Sequence, residues 1–305
     1  MVSKIYLVNP RGFCFGVERA IQVARQSAML YKNVYVIEDV VHNSRIAKEL
    51  SEEGIHKVAS ISDVPTDSTF MISAHGMSPN ILKDIDKSIN VIDGTCSIVA
   101  TIQKMIQRDR SNGKKIILIG KRDHAEIRGY VGVADHKDVY VVYSEIDIEL
   151  LPDLSDSQVS CYSQTTLPHD IVNNLFKALQ NKIPHIEAKD TETLNVCNAT
   201  QNRQNAIIRV VQSYSIDMCI VAGSESSSNT CALRDTAIKN GVPNSFVVDG
   251  VSNLSQSMFD GVGVVAISAG ASCPEIVVQE IVEYVKNMSP GVIIEEIGDK
   301  DICAS

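Results

Sequence analysis

The sequence predicts an α/β protein built on mainly parallel sheets, and three observations carry that expectation. Short β-branched runs alternate with helical patterns along almost the whole 305-residue chain, the mark of βα units. Tryptophan is absent and aromatic residues make up only 5%, so the core must be built from Val, Ile, Leu and Ala, as in sheets covered by helices on both faces. Several helical patterns stop at a glycine able to take the left-handed conformation that closes a helix, namely Gly54, Gly113 and Gly241.

The elements follow in order. An extended run at 5–8 precedes a helix at 17–30, and a strand at 34–37 precedes a helix at 44–53 that stops at Gly54. Strands at 69–73 and 90–92 lead to a helix at 98–110, closed by Gly113. The β-branched runs 115–119, 139–143 and 159–163 come next, followed by a helix at 170–181. A helix at 199–212 precedes a strand at 218–221, and a helix at 232–240 stopped by Gly241 precedes strands at 246–248 and 263–268. A helix at 275–286 completes the series, while 151–158 and the stretch after 289 are the most loop-like regions. No linker rich in Pro, Gly or Ser divides the chain, so its domains are expected to be small and closely packed.

Length alone, at roughly 150 residues per domain, suggests about two domains. Apolar residues make up 44% and charged residues 21%, which excludes disorder, collagen and coiled coil. Lys+Arg 28 against Asp+Glu 37 gives a net charge of −9 and speaks against a dedicated nucleic-acid binder. The first apolar run is too short for a signal peptide, and none approaches the roughly 18 residues of a membrane span. A soluble, cytoplasmic chain is expected.

Eight cysteines in so long a chain without a signal peptide suit reduced core residues, metal ligands or nucleophiles better than disulfides. Cys14, Cys96 and Cys197 share one setting, each following an extended or turn segment and preceding a helix. There free N–H groups and the positive end of the helix dipole stabilise a thiolate, the form that binds metal. Their nearly equal separations suggest one cysteine per lobe. Three thiolates are one short of a structural zinc site, and no CxxC pair is present among them. An iron–sulfur cluster with three ligands and one open iron fits better; the plain alternative is three buried cysteines at helix starts. Cys161, Cys219, Cys231 and Cys303 look structural, and Cys273 sits in a turn.

Strand ends are where ligands sit in parallel α/β sheets. His42, His75 and His124 each follow a strand, and three imidazoles in equivalent places can bind an anion or move protons. Ser-rich turns at 223–230 and 268–272 open onto helix N-termini that can cradle a phosphate, although such turns also cap helices with no ligand present. Gln164-Thr165-Thr166 adds hydroxyls at another strand end. His56, His136, His169 and His185 fit no such pattern and are expected at the surface.

These segments together resemble those of the 4-hydroxy-3-methylbut-2-enyl diphosphate reductase family, the last enzymes of the non-mevalonate isoprenoid pathway. The matching stretches are Asn9-Pro-Arg-Gly-Phe-Cys14-Phe-Gly16-Val, Val41-His42-Asn43, Ser73-Ala-His75-Gly76, Asp93-Gly-Thr-Cys96 and His124-Ala-Glu126. Gln164-Thr165-Thr166-Leu, Cys197-Asn-Ala-Thr-Gln-Asn-Arg203, Ser227-Ser228-Asn229 and Ala269-Gly270-Ala-Ser272 follow in the same order. The resemblance implies three similar α/β lobes around a central 4Fe–4S cluster held by Cys14, Cys96 and Cys197, its open iron taking the substrate hydroxyl. The expected lobes are 14–96, 97–196 and 197–288, with 1–13 joining the third and 289–305 a C-terminal tail. It also implies a diphosphate pocket of His42, His75, His124, Ser227, Ser228, Asn229 and Ser272, with Thr165 near the substrate hydroxyl and Glu126, His124 and Thr165 serving catalysis. Ser97 and Ala125 stand where many members have Pro, which bears on rate more than on identity.

Two rival readings remain at this level. A cluster-dependent dicarboxylate dehydratase would need a basic carboxylate clamp, and the strand ends offer Ser and His instead. A non-enzymatic metal-binding regulator would need a partner surface, and no extended one is visible. The implied electron donor is a reduced ferredoxin or flavodoxin. Residues 104–122 hold seven cations (Lys104, Arg108, Arg110, Lys114, Lys115, Lys121, Arg122) against Asp109, either a solvated helix face or a docking patch for such a donor.

Overall fold

The computed structural model describes residues 1–31, 33–134, 138–188 and 194–298; His136 and Cys303 therefore lie outside the described residues. In chain order the elements are β1 (Lys4–Val8), α1 (Phe15–Leu30), β2 (Val34–Val36), α2 (Ser44–Glu52), β3 (Ile55–Lys57), β4 (Thr69–Ile72), α3 (Pro79–Lys83) and β5 (Asn90–Asp93). Next come α4 (Ser97–Ser111), β6 (Lys115–Ile119), α5 (Ala125–Val133), β7 (Val139–Val142), α6 (Glu145–Glu149), β8 (Val159–Ser163), α7 (His169–Lys182) and β9 (Glu187–Ala188). The chain continues through α8 (Asn198–Ser213), β10 (Met218–Ala222), α9 (Ser228–Lys239), β11 (Ser245–Val248), β12 (Val264–Ala269), α10 (Glu275–Met288) and β13 (Ile293–Ile297). The strands form three sheets, ordered β11-β10-β12-β1-β13, β3-β2-β4-β5 and β7-β6-β8-β9, and every pairing is parallel. The α/β class with three parallel sheets is as expected.

The chain divides into two compact units. The first comprises residues 1–14, 42–44 and the chain from Asn198 onward, and holds the five-stranded sheet. Successive residues of β1 point to opposite faces of this sheet. Ile5 and Leu7 pack with Val277, Val278, Ile281 and Val285 of α10, while Tyr6 and Val8 pack with Ala206, Ile207 and Val210 of α8 and Leu233 of α9. Such two-sided burial explains why β10, Met-Cys-Ile-Val-Ala, is an unbroken apolar run.

The second unit, residues 15–41 and 45–197, holds the two four-stranded sheets. β6 repeats the same logic: Ile117 and Ile119 join Val172, Leu175, Phe176 and Leu179 of α7, and Ile116 and Leu118 join Ile102 and Ile106 of α4 and Ile127 and Tyr130 of α5. The other four-stranded sheet buries Phe70 and Ile72 against Val64 and Ile89.

Several elements depart from expectation. The segment expected as a tail contains β13, which pairs in parallel with β1, Lys4 opposite Ile293 and Val8 opposite Ile297. Its Glu295 meets Lys4 at 2.7 Å and its Glu296 meets Arg11 at 3.0 Å, charged partners that make this an edge strand rather than a core one. The helices α3, α5 and α6 and the short edge strands β3 and β9 also went unpredicted. Among the described residues no helix is long and apolar enough to cross a membrane.

Candidate active site

The second unit gathers a polar group around Glu126. β6 and β8 are neighbours in register, Ile119 opposite Ser163, so the residues that follow them emerge side by side. After β6 the chain reaches His124, the N-cap of α5, whose Nδ1 accepts the Glu126 N–H at 3.3 Å. After β8 it reaches Gln164, whose N–H donates to the Ile119 carbonyl at 2.8 Å, and then Thr165. Glu126 is 1% exposed. Its Oε1 accepts the Thr165 N–H at 2.7 Å and the Tyr130 hydroxyl at 2.9 Å, and its Oε2 faces Thr165 Oγ1 at 3.0 Å. Burial pushes its pKa up to about 7, against the opposing pull of those three bonds.

Two of the three expected cysteines belong to this unit. Cys96 is the N-cap of α4, and its N–H donates to the Ala74 carbonyl at 2.9 Å. A Cβ placed at Gly16 would stand 2.6 Å from Cys96 Sγ, so the glycine leaves that space to the thiol. The Cys197 N–H donates to the Thr165 carbonyl at 3.0 Å. Just before it, Leu194 and Asn195 both take the left-handed conformation, at φ 49° and 68°, and the Ser163 hydroxyl donates to the Leu194 carbonyl. A left-handed Leu is strained. It is held here because its side chain is buried among Ile117, Leu175 and Val196. The Tyr130 hydroxyl is kept protonated by burial, then by Glu126, with smaller contributions from the Cys96 and Cys197 thiols. Both thiols thus bear on the Tyr130 hydroxyl, the group that donates to Glu126. The His75 ring meets His124 edge-on, centroids 5.8 Å apart, and its Nδ1 lies 3.3 Å from Ser73 Oγ.

The first unit carries the remaining expected residues: Cys14, Ser272 and residues 227–229 in the segments after β1, β12 and β10, and His42 in the short segment 42–44. Cys14 is half-buried, and its N–H donates to the Ala271 carbonyl at 3.1 Å. The preceding loop contains a cis Asn9–Pro10 peptide and Gly12 at φ +73°, whose carbonyl accepts from Arg203 at 2.7 Å. Ser272 is buried and donates to the His42 carbonyl at 2.9 Å. Ser227 caps α9, its Oγ accepting the Thr230 N–H at 3.3 Å, and Ser228 is half-buried in the first turn. Asn229 is 3% exposed, yet neither its amide oxygen nor its nitrogen finds a partner among the described residues. Buried amides are normally paired, so this one is available to a ligand.

The other cysteines are plain. Cys161 and Cys219 are buried in strands, where burial pushes their thiols up. Cys273 is fully buried. No disulfide links the described cysteines to one another, and among the described residues no three His, Cys, Asp or Glu cluster as ligands of a single ion. Of the other described histidines, His185 is exposed, with its Nε2 2.7 Å from the Ser157 carbonyl, and His56 and His169 are half-buried. The cationic stretch is partly neutralised: Arg108 lies 3.8 Å from Asp109, Arg110 pairs with Asp138, Lys114 with Glu187 and Arg122 with Asp147. Lys104 and Arg108 remain exposed on α4, Asp109 beside them being buried under the Tyr162 hydroxyl at 2.7 Å. A cavity of about 700 Å³ in the second unit, lined by Ile81, Arg122, Val131, Val139 and Leu150, includes none of the expected site residues. Tyr130 and Gly16 were missed in the sequence; the spacing of four from Glu126 to Tyr130 was the available signal for the first.

Comparison with known proteins places this geometry. The family model described as LytB protein matches residues 5–286. The 4-hydroxy-3-methylbut-2-enyl diphosphate reductase of Shewanella oneidensis is 35% identical, over 97% of this chain and 93% of its own. The protein of the same name from Wolbachia pipientis wMel is 36% identical over 96% and 97%. The solved E-1-hydroxy-2-methyl-but-2-enyl-4-diphosphate reductase from Plasmodium falciparum matches with a TM-score of 0.92 at 32% identity, covering 98% of this chain and 93% of that one. With a match that touches all three sheets and relatives covered almost end to end, the chain belongs to the LytB protein family, among relatives named as 4-hydroxy-3-methylbut-2-enyl diphosphate reductases.

Proposed function

We propose that this chain is a cytoplasmic iron–sulfur reductase that converts 4-hydroxy-3-methylbut-2-enyl diphosphate to isopentenyl and dimethylallyl diphosphates, the last step of the non-mevalonate isoprenoid pathway. The observation that carries this reading is a buried carboxyl, Glu126, that keeps its proton to about pH 7 beside a threonine hydroxyl and bonded to Tyr130, whose own hydroxyl is influenced by the Cys96 and Cys197 thiols. Reductive dehydroxylation takes up two electrons and two protons: a C–O bond breaks, a C–H bond forms and water leaves. Hydroxide is a poor leaving group, so a positioned proton donor is the part the protein must supply.

In this reading Cys14, Cys96 and Cys197 hold a 4Fe–4S cluster with three cysteine ligands and one open iron. The residues suit it. All three are only half-buried, and they precede helices, where N–H groups favour thiolates. Gly16 keeps the space at Cys96 Sγ clear. When bound, such a cluster supplies single electrons and a Lewis-acidic iron.

The chain's own groups do the rest. Oε1 of Glu126 already accepts two bonds, so its proton belongs on Oε2, against Thr165 Oγ1. A hydroxyl both accepts and donates, so Thr165 takes that proton and passes its own to the departing oxygen. His124, with Nδ1 accepting the Glu126 N–H, carries its proton on Nε2 as a donor. The diphosphate falls to His42, His75, His124, Ser227, Ser228, Asn229 and Ser272, with the α9 N-terminus and the unpaired Asn229 amide as supports. A reduced ferredoxin or flavodoxin supplies the electrons.

The test is anaerobic turnover of the diphosphate alcohol with a chemical reductant, in wild type and Glu126→Gln. Gln reproduces the pattern, its oxygen accepting from Thr165 N–H and Tyr130 and its nitrogen donating to Thr165 Oγ1, but it has no proton to give. Wild type should carry iron and consume the substrate, and the variant should keep its iron while turnover falls about a hundred- to ten-thousand-fold. An iron-free, inactive wild type or a fully active variant would overturn the reading.

A further inference from the structure

We propose that Tyr130 is a positioning residue for the proton donor: its hydroxyl makes Oε1 of Glu126 the accepting oxygen and confines the carboxyl proton to Oε2, facing Thr165. The inference rests on the functional reading above and adds to it a residue outside the substrate-binding set.

The geometry is specific. Tyr130 lies four residues after Glu126 on α5, so the two side chains share one helix face. The phenol is fully buried, and its hydroxyl donates to Glu126 Oε1 at 2.9 Å. The second bond to Oε1, from the Thr165 N–H at 2.7 Å, comes from a group that can only donate. With one lone pair facing that N–H and the other facing the phenol, Oε1 has no place for a proton. Oε2 has one, because Thr165 Oγ1 can accept as well as donate. Removing the phenolic oxygen would open the second lone pair of Oε1, and the proton would then divide between an oxygen in line with Thr165 and one that is not.

The plain alternative is that Tyr130 only fills the core among Ile102, Ile106 and Ile127. Tyr130→Phe separates the two, since it keeps the ring and removes only the hydroxyl. An infrared difference spectrum between each protein and its Glu126→Gln counterpart isolates the carboxyl C=O stretch without substrate. A hydrogen bond to the carbonyl oxygen lowers that frequency, so Tyr130→Phe should move the band upward. In turnover with a chemical reductant, kcat should fall about ten-fold, the effect of losing one positioning hydrogen bond, with KM and iron content unchanged. An unmoved band, an unchanged kcat, or a loss confined to KM would overturn the proposal. If wild type fails to reduce the diphosphate alcohol, the functional reading fails, and the infrared shift still decides whether Tyr130 binds Oε1.

Discussion

Glu126 is tied by three hydrogen bonds, each favouring its charged form, and still holds its proton far above the ordinary carboxyl range, because burial outweighs them. The consequence for stability has a definite sign. The folded state keeps a proton up to about pH 7 that the unfolded chain releases near 4.5, so between those values the native state binds more protons. Its contribution is complete below the unfolded value and is lost as pH rises through about 7, a difference of roughly 3 kcal/mol at most. Denaturant titrations should therefore find wild type losing stability between pH 5 and pH 8 relative to Glu126→Gln. A gap that stays constant across that range would mean the carboxyl is already ionised at pH 5. Turnover that needs the same proton should decline above about pH 7, and a flat profile would speak against Glu126 as donor.

At the scale of elements, α5 is the instructive case. It contains Gly129 and Gly132, and two glycines in nine residues argue against a helix on propensity alone. Packing explains them. A Cβ at Gly132 would stand 2.0 Å from Ser78 Oγ and 3.0 Å from its Cα, at the N-cap of α3. Gly132→Ala, which raises helix propensity, should nevertheless cost about 1–3 kcal/mol by overpacking, measurable as a lower denaturation midpoint. A midpoint raised by the substitution would show that α3 yields freely. This is also why α5 was not legible in the sequence: tertiary contact, invisible locally, overrode the glycine penalty. β13 escaped notice for a different reason, since Glu295 and Glu296 interrupt its apolar pattern and belong to an edge that water reaches. The buried strands were legible because two-sided burial writes continuous apolar runs, and His75, His124 and Thr165 were legible as polar residues following them, whereas β2 ends at Val36, well before His42. Tyr130 was hidden because a tyrosine in an apolar stretch looks like core, which it also is. The α4 surface carries a further expectation. Lys104 and Arg108 are the exposed cations of that helix, which starts at Cys96, so K104E/R108E should slow turnover with an acidic ferredoxin at low salt and leave a chemical reductant unaffected. Equal loss with both donors would discard α4 as a docking face.

For the molecule as a whole, the three candidate cluster ligands are distributed unevenly, Cys14 in the first unit and Cys96 and Cys197 in the second. Cys14→Ser, Cys96→Ser and Cys197→Ser should each lower iron content after anaerobic preparation, while Cys161→Ser and Cys219→Ser, which alter thiols in strands, should retain it. A full iron complement in any of the first three would remove that residue from the ligand set. The spacing of these cysteines suggested a threefold plan, and three sheets are present, but contact density divides the chain in two because the second unit takes two of the sheets.

The pairing of β1 with β12 and β13 has a consequence for how the molecule is made. Among the described strands β1 is made before the others, and its two neighbours in the sheet, joined at Lys4 to Val264 and Ile293, are made after them. Every strand of the two smaller sheets lies between residues 34 and 188 and is synthesised in the interval. Because domains form as their strands become available, the second unit can assemble on the nascent chain while β1 waits as an unpaired apolar segment. Until β12 and β13 have been made, the apolar run Ile-Tyr-Leu-Val therefore lacks both strands that flank it in the folded chain.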